Sequence, residues 1–151
     1  MDTSVKTIED IERSLGIPVL GIISQKVKPF IDAKARSEHS EAYRVLRTNI
    51  QFSKNIRDGK VFCITSGSVG EGKSLTVFNL ACVCSDLGDK TLVVDADLHR
   101  PRQHKIMGLT NQNGFANVLA GETAMEEAIQ KTDYFDFLSS GHLETGTHGL
   151  L

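Results

Sequence analysis

The chain has no surplus of either charge, no long apolar run, no internal repeat and few cysteines, and each shortage removes a class of function. Lys and Arg number 17 against 19 Asp and Glu, a formal net charge of −2. The two signs are interspersed, so there is no electrostatic footprint for a polyanion and nucleic acid is not expected as a partner. The longest apolar stretch, Ile17 to Ile23, contains Pro18 and Gly21 and falls far short of the roughly 20 residues that span a bilayer. The opening MDTSVKTIED carries acids and no apolar centre, unlike a secretory signal. Cys63, Cys82 and Cys84 lie in apolar segments without C-x-x-C spacing. They read as buried, reduced thiols acting as small hydrophobes, which suits a reducing cytoplasm. Asp95, Asp97 and His99 alternate along a strand end and a loop, a poor set for zinc.

What is present, 40% hydrophobic and 24% charged residues in a chain of 151, suits a soluble globular domain with a real core. Thr7 with Asp10 forms an N-cap pair for a short helix that Gly16 stops. IPVLGIIS then reads as a strand and DAKARSEHS as a polar linker. A second helix, about 38–53, carries Ala42, Val45, Leu46, Asn49 and Ile50 on one side, while Glu41, Arg44 and Arg47 recur every three residues along another. After a turn at Asp58-Gly59, KVFCIT has the continuous apolar character of a strand buried on both faces. Ser74 to Leu87 is a helix burying Val77, Leu80, Ala81 and Cys84, with Gly88 at its stop. TLVVD is a second buried strand and FDFLSS a third, with a helix from Ala124 to Gln130 between them, capped by Thr123 and Glu126. Strand alternating with helix implies an α/β fold with a parallel sheet flanked by helices.

Between the first of those strands and its helix lies TSGSVGEGKS. Gly67, four residues, then Gly72-Lys73-Ser74 satisfy G-x-x-x-x-G-K-[ST] in the strand-to-helix context the motif needs. The chemistry demands these residue types. Gly70 and Gly72 let the backbone bend until its N–H groups converge on phosphate oxygens, which the helix N-terminus also favours. Lys73 adds a point charge at the β- and γ-phosphates, and Ser74 offers a hydroxyl to Mg²⁺. The nucleotide-binding residues are thus Ser68, Val69, Gly70, Glu71, Gly72, Lys73, Ser74 and Leu75, with ATP and Mg²⁺ as ligands. In VVDADLHRP, Asp95 ends a buried strand and Asp97 follows two residues on, at the sheet edge where ligands of open α/β folds bind. Carboxylates beside a triphosphate are tolerable when Mg²⁺ screens them or when one accepts a proton.

These stretches, with IERSLGIPVLGIIS, SEAYRVLRTNIQF, HKIMGL and NVLAGE, resemble in order the bacterial tyrosine kinases of capsule and exopolysaccharide synthesis. The resemblance implies a P-loop NTPase fold and transfer of the ATP γ-phosphate to protein tyrosine, as a non-specific protein-tyrosine kinase. It makes Lys73, Asp95 and Asp97 catalytic, with Asp95 as base toward the tyrosine hydroxyl and Ser74, Asp95 and Asp97 at the metal; the roles of the two aspartates are interchangeable. Glu41, Arg44 and Arg47 match the family's E-x-x-R-x-x-R helix, implying a homo-oligomeric ring. The N-terminal VKTIEDIERSLGIPVLGIIS resembles the segment that follows a membrane-embedded chain-length regulator, fused or separate. That places the domain in the cytoplasm at the inner face of the plasma membrane.

The chain departs from the family pattern at Val69 (usually Pro), Leu75 (usually Thr) and His99 (usually Arg), and HLETGTHGLL replaces a proline-rich stretch. The expected organisation is an N-terminal segment with a juxtamembrane-like region and the oligomerisation helix over 1–58, then a P-loop core over 59–151, incomplete at its C-terminus. No apolar strand ending in Asp, the Walker B element, follows, and Tyr43 and Tyr134 are the only tyrosines. A missing central strand leaves its neighbours unpaired. Competing readings are a partition- or septum-type ATPase, whose loop begins with a lysine where Ser68 stands, and a non-catalytic, nucleotide-gated assembly module of the polysaccharide machinery. A small-molecule kinase shares the loop but not the arginine-bearing helix.

Overall fold

The computed structural model describes residues 7–31, 33–53 and 60–142, with backbone alone for 33–37. The expected turn at Asp58-Gly59 and the HLETGTHGLL tail beyond His142 lie outside the described residues. The first helix, α1 (Ile8–Leu15), is capped as the sequence predicts. Asp10 N donates to Thr7 Oγ1 at 3.1 Å, Thr7 N donates to Asp10 Oδ2 at 3.2 Å, and Gly16 closes the helix at φ 65°.

IPVLGIIS is not a strand. Pro18 has no N–H to give a ladder, and side chains of neighbouring helices take the backbone groups instead. Val19 N donates to Glu12 Oε1 at 2.9 Å, and Asn49 Nδ2 donates to Leu20 O at 2.7 Å. The segment is thereby held against α2 (Ala33–Phe52), which starts five residues before the expected position 38. The stretch expected as linker enters the helix because Ala33, Lys34, Ala35 and Arg36 are all strong helix formers.

Helix α2 packs on α3 (Lys73–Asp86). Tyr43 of α2 is fully buried and meets the Phe30 ring edge-on, with centroids 5.2 Å apart. Asn79, buried in α3, accepts from Phe30 N at 3.0 Å and donates to Lys28 O at 3.1 Å, pinning the segment before α2. Val27, Phe30 and Tyr43 share one apolar cluster with Phe78, Ala81, Cys82 and Val83 of α3 and with Val93, Phe135 and Phe137. The residues before and after position 58 therefore enclose a common core. Val77 and Leu80 pack at its margin, and Cys84 is half-buried.

The sheet has the order β1-β3-β2, with β1 Leu92–Val94, β2 Ile129–Lys131 and β3 Asp136–Leu138. It is mixed, not parallel: β1 runs parallel to β3, and β2 is antiparallel to it. The short link between β2 and β3 permits nothing else, since a parallel return needs a long crossover. Thr132 Oγ1 braces that link, accepting from Tyr134 N and Phe135 N. The helix before β2 (Met125–Ala128) is shorter than expected, and the Thr123 and Glu126 capping box does not form. Thr123 Oγ1 reaches Glu127 Oε2 at 3.5 Å instead, and Ile129 to Lys131 are drawn into the ladder with β3.

KVFCIT, expected as a strand buried on both faces, pairs with nothing among the described residues. Val61 is 92% and Phe62 49% exposed, and Cys63 is exposed rather than buried. A strand is held in a sheet only where another segment completes its hydrogen bonds, and among the described residues none pairs with this stretch.

Candidate functional site

The loop from Ser66 to Gly72 leads into α3, and Gly70 and Gly72 have φ 91° and 92°, a region that side chains with a Cβ rarely enter. Ser66 Oγ donates to Ser68 O at 3.1 Å and Ser68 N donates to Glu71 Oε2 at 3.1 Å, so a carboxylate already rests on one amide of the bend. Gly72 stands at the N-cap of α3 and has no side chain to cap it. Its first N–H groups have no intrahelical acceptor, and together with the helix dipole they attract an anion.

Lys73, in the first turn of α3, reaches across to the loop after β1, where its Nζ lies 3.2 Å from Asp97 Oδ2. Asp97 Oδ1 accepts from Arg100 N at 3.0 Å. The Arg100 amide, followed by the Lys73 hydrogen bond and charge, holds the Asp97 carboxyl below its usual range against the opposing effect of burial. Asp95 is differently placed. It is buried, and its carboxylate takes backbone amides: Oδ1 accepts from Asp97 N at 3.3 Å, while Oδ2 accepts from Arg102 N at 3.2 Å and Gln103 N at 3.1 Å. It thus closes the loop and seats the start of α4 (Gln103–Met107).

The residues from 68 to 75, with Asp97, line one open cleft of about 1100 Å³ between the loop and α4. The donor set fits a phosphate chain: free helix amides, a bend of positive-φ glycines and an ammonium. It also fits Mg²⁺ in part. The Ser74 hydroxyl and the Asp97 carboxylate are hard oxygen donors, and among the described residues no cluster of three or more acidic, His or Cys side chains forms a complete cage. A metal held here completes its shell with phosphate and water oxygens, as Mg²⁺ characteristically does.

Sequence reasoning does not single out Gln103. It is buried, and its Nε2 donates to Ser74 O at 3.0 Å, coupling the aspartate loop to the first turn of α3. No sequence signal marks a contact between positions 29 residues apart. The predicted interface residues divide. Glu41 and Arg44 form an exposed i,i+3 pair at 3.8 Å. Arg47 instead turns inward, its side chain 16% exposed, with Nη2 2.7 Å and Nε 3.0 Å from Asp89 Oδ2 of its own chain. Among the described residues no helix is long and apolar enough to cross a membrane.

A scan against protein-family models finds no match. Curated relatives include the tyrosine-protein kinase YwqD of Bacillus subtilis (strain 168), 42% identical over 118 residues, or 77% of this chain and 50% of that protein. The putative tyrosine-protein kinase CapB of Staphylococcus aureus is 35% identical over 103 residues, 68% of this chain and 45% of its own length. Among solved structures, the kinase domain of Escherichia coli tyrosine kinase ETK superposes with a TM-score of 0.81 at 25% identity, over 94% of this chain and 62% of that one. The chimerical protein CapA2B2 gives 0.76 at 33% identity, over 92% and 62%. The chain thus spans half or less of these curated relatives' length. Its curated homologues are named as bacterial tyrosine-protein kinases, its structural neighbours include a kinase domain of that type, and the chain covers part of each.

Proposed function

We propose that this chain is the ATP-binding part of a P-loop protein-tyrosine kinase that regulates capsule or exopolysaccharide synthesis and passes the γ-phosphate of ATP to tyrosines of protein substrates. The observation that carries the reading is the pairing of Lys73 with Asp97 across the mouth of an uncapped helix. A cation and an anion are poised there on opposite walls of one cleft. On binding, Lys73 exchanges the carboxylate for the β- and γ-phosphates, and the α3 amides and the Gly70 to Gly72 bend take the remaining oxygens. Ser74 and Asp97 hold Mg²⁺, which when bound neutralises charge on the transferring phosphoryl group. The family resemblance favours Asp95 as base, with the roles open to exchange. The three amide contacts of Asp95 suit a positioning residue. Asp97, held at Oδ2 by one movable ammonium, suits the metal, or the tyrosine hydroxyl if the two roles are exchanged.

Glu41 and Arg44 on the exposed face of α2 are the better placed for contact with a neighbouring subunit in a ring, while Arg47 stiffens the helix through Asp89. The unpaired stretch Val61 to Ile64 suits an added central strand. The working location is the inner face of the plasma membrane, beside a membrane-embedded chain-length regulator.

The test is radiolabelled ATP with the intact protein. Phosphotyrosine on any protein supports the kinase, free phosphate alone supports an ATPase, and binding without turnover supports an assembly module. One observation favours the last reading: Tyr43 is fully buried and so is not presented as an acceptor, while Tyr134 is half-buried with its ring edge-on to Phe78.

A further inference from the structure

The cleft wall opposite the P-loop is cationic in a way that the nucleotide site does not use. Arg100, Arg102 and Lys105 line it, all exposed, with His99 beside them. Among the described residues, none of the three side chains has a carboxylate partner. The acids of the same cleft are committed elsewhere, Asp97 to Lys73 and the Arg100 amide, Glu71 to the Ser68 amide. In a chain of net charge −2, three unpaired cations on one wall of one cleft are a local excess. Their backbones are fixed, because the Arg100 amide is held by Asp97 and the Arg102 amide by Asp95. The charged heads therefore project from an anchored loop and a short helix, and an array of like charge selects a ligand of opposite charge.

We propose that this wall recognises an acidic polypeptide segment: the acceptor tyrosine enters the cleft flanked by Asp or Glu residues that pair with Arg100, Arg102 and Lys105. This rests on the kinase reading, and adds to it the charge of the substrate. A triphosphate is served by the loop amides and Lys73 on the facing wall, which leaves these heads to read residues on either side of the tyrosine. Each exposed pair contributes weakly, and salt screens it, so the effect is a graded preference built from several contacts.

The test uses two fluorescein-labelled peptides, one with a tyrosine between runs of Glu and one with Gln in place of every Glu. They are titrated into the intact protein by anisotropy, without nucleotide and with ADP and Mg²⁺, at low salt and at about 300 mM NaCl, where screening is strong. The acidic peptide is expected to bind about tenfold tighter at low salt, the preference shrinking several-fold at high salt. In the triple variant Arg100→Gln, Arg102→Gln, Lys105→Gln the two peptides are expected to bind alike, with ADP affinity within about twofold of wild type. The single variant Lys105→Gln, less exposed to folding defects, is expected to lose part of the preference. Equal binding of both peptides by wild type overturns the proposal. So does a preference that survives in the triple variant, or a loss of ADP affinity in step with peptide affinity, which assigns these cations to the nucleotide. An oligothymidylate that displaces the acidic peptide at lower concentration than unlabelled acidic peptide itself overturns it in favour of nucleic acid. Failure of wild type to bind ADP strikes the kinase reading instead, and the nucleotide-free titration still decides the peptide preference.

Discussion

Replacing Asp97 with Asn isolates the charge on which the site turns while keeping the shape, because the carboxamide still offers an oxygen to the Arg100 amide. In the resting site Asp97 competes with phosphate for Lys73. The pair is 3.2 Å long, with each side chain 34% exposed. Discounted for solvent, it is worth about 0.5–1 kcal/mol, a factor of roughly two to five in affinity. In EDTA, then, Asp97→Asn should bind ATP about two- to fivefold tighter than wild type, since the ammonium is free and a repelling carboxylate is gone. With Mg²⁺ the sign reverses. A charged contact worth about 1.5–3 kcal/mol is lost from the metal's surroundings, so the enhancement of ATP affinity by Mg²⁺ should fall by roughly tenfold or more. Titration calorimetry in the two buffers reads both quantities. An unchanged Mg²⁺ enhancement, or weaker binding in EDTA, would refute the assignment of Asp97 to this double role.

The same carboxylate sets an acid limit. Because its folded-state pKa is lowered by the Arg100 amide and by Lys73, it contributes stability above the ordinary carboxylate pKa of about 3.9, and that stability is lost as pH falls through the lower folded value. Thermal melts of wild type and Asp97→Asn should therefore differ at about pH 6 and converge below about pH 4. Tyr43 has a buried hydroxyl without a hydrogen-bond partner among the described residues, so Tyr43→Phe should leave stability unchanged or raise it by up to about 1 kcal/mol. A clear loss in denaturant titration would show that the hydroxyl has a partner in solution. Gln103→Leu removes the bond to Ser74 O and should cost about 1 kcal/mol of stability and several-fold in Mg²⁺-dependent ATP affinity. A stability loss with unaltered Mg²⁺ dependence would reduce Gln103 to packing. Arg47→Ala should lower the melting temperature by a few degrees through loss of the Asp89 pair, whereas Arg44→Ala should leave it unchanged and reduce oligomer mass in light scattering.

The bend of the glycine-rich loop and the nearness of Lys73 to Asp97 were legible because they are set locally: the glycines, Lys73 and the two aspartates sit at fixed offsets from a strand end and a helix start. So were the Thr7 and Asp10 cap, the extent of α3 and the strands at Leu92 and Asp136, each decided by neighbouring residues. What sequence misjudged depends on neighbours in space. Val61 to Ile64 has every attribute of a buried strand, yet a strand exists only where another chain segment completes its hydrogen bonds. Ile129 to Lys131 had helical neighbours, and the ladder with Asp136 to Leu138 claimed it for the sheet. Arg47 and Arg44 occupy equivalent positions in a charge repeat, and the presence of Asp89 in the turn after α3 distinguishes them. Gln103 carries no local signal, because its partner, the Ser74 carbonyl, lies 29 residues away in the sequence.

The central claim is that the bend from Gly67 to Ser74, with Lys73, grips a triphosphate. Calorimetric titration of the intact protein with ATP and Mg²⁺, beside Lys73→Ala, addresses it most directly. The account predicts saturable heat for wild type and binding weaker by roughly ten- to a hundredfold in the variant, from loss of charge-assisted hydrogen bonds worth about 1.5–3 kcal/mol each. Absence of heat from the wild type, or equal affinity in the two proteins, would contradict it.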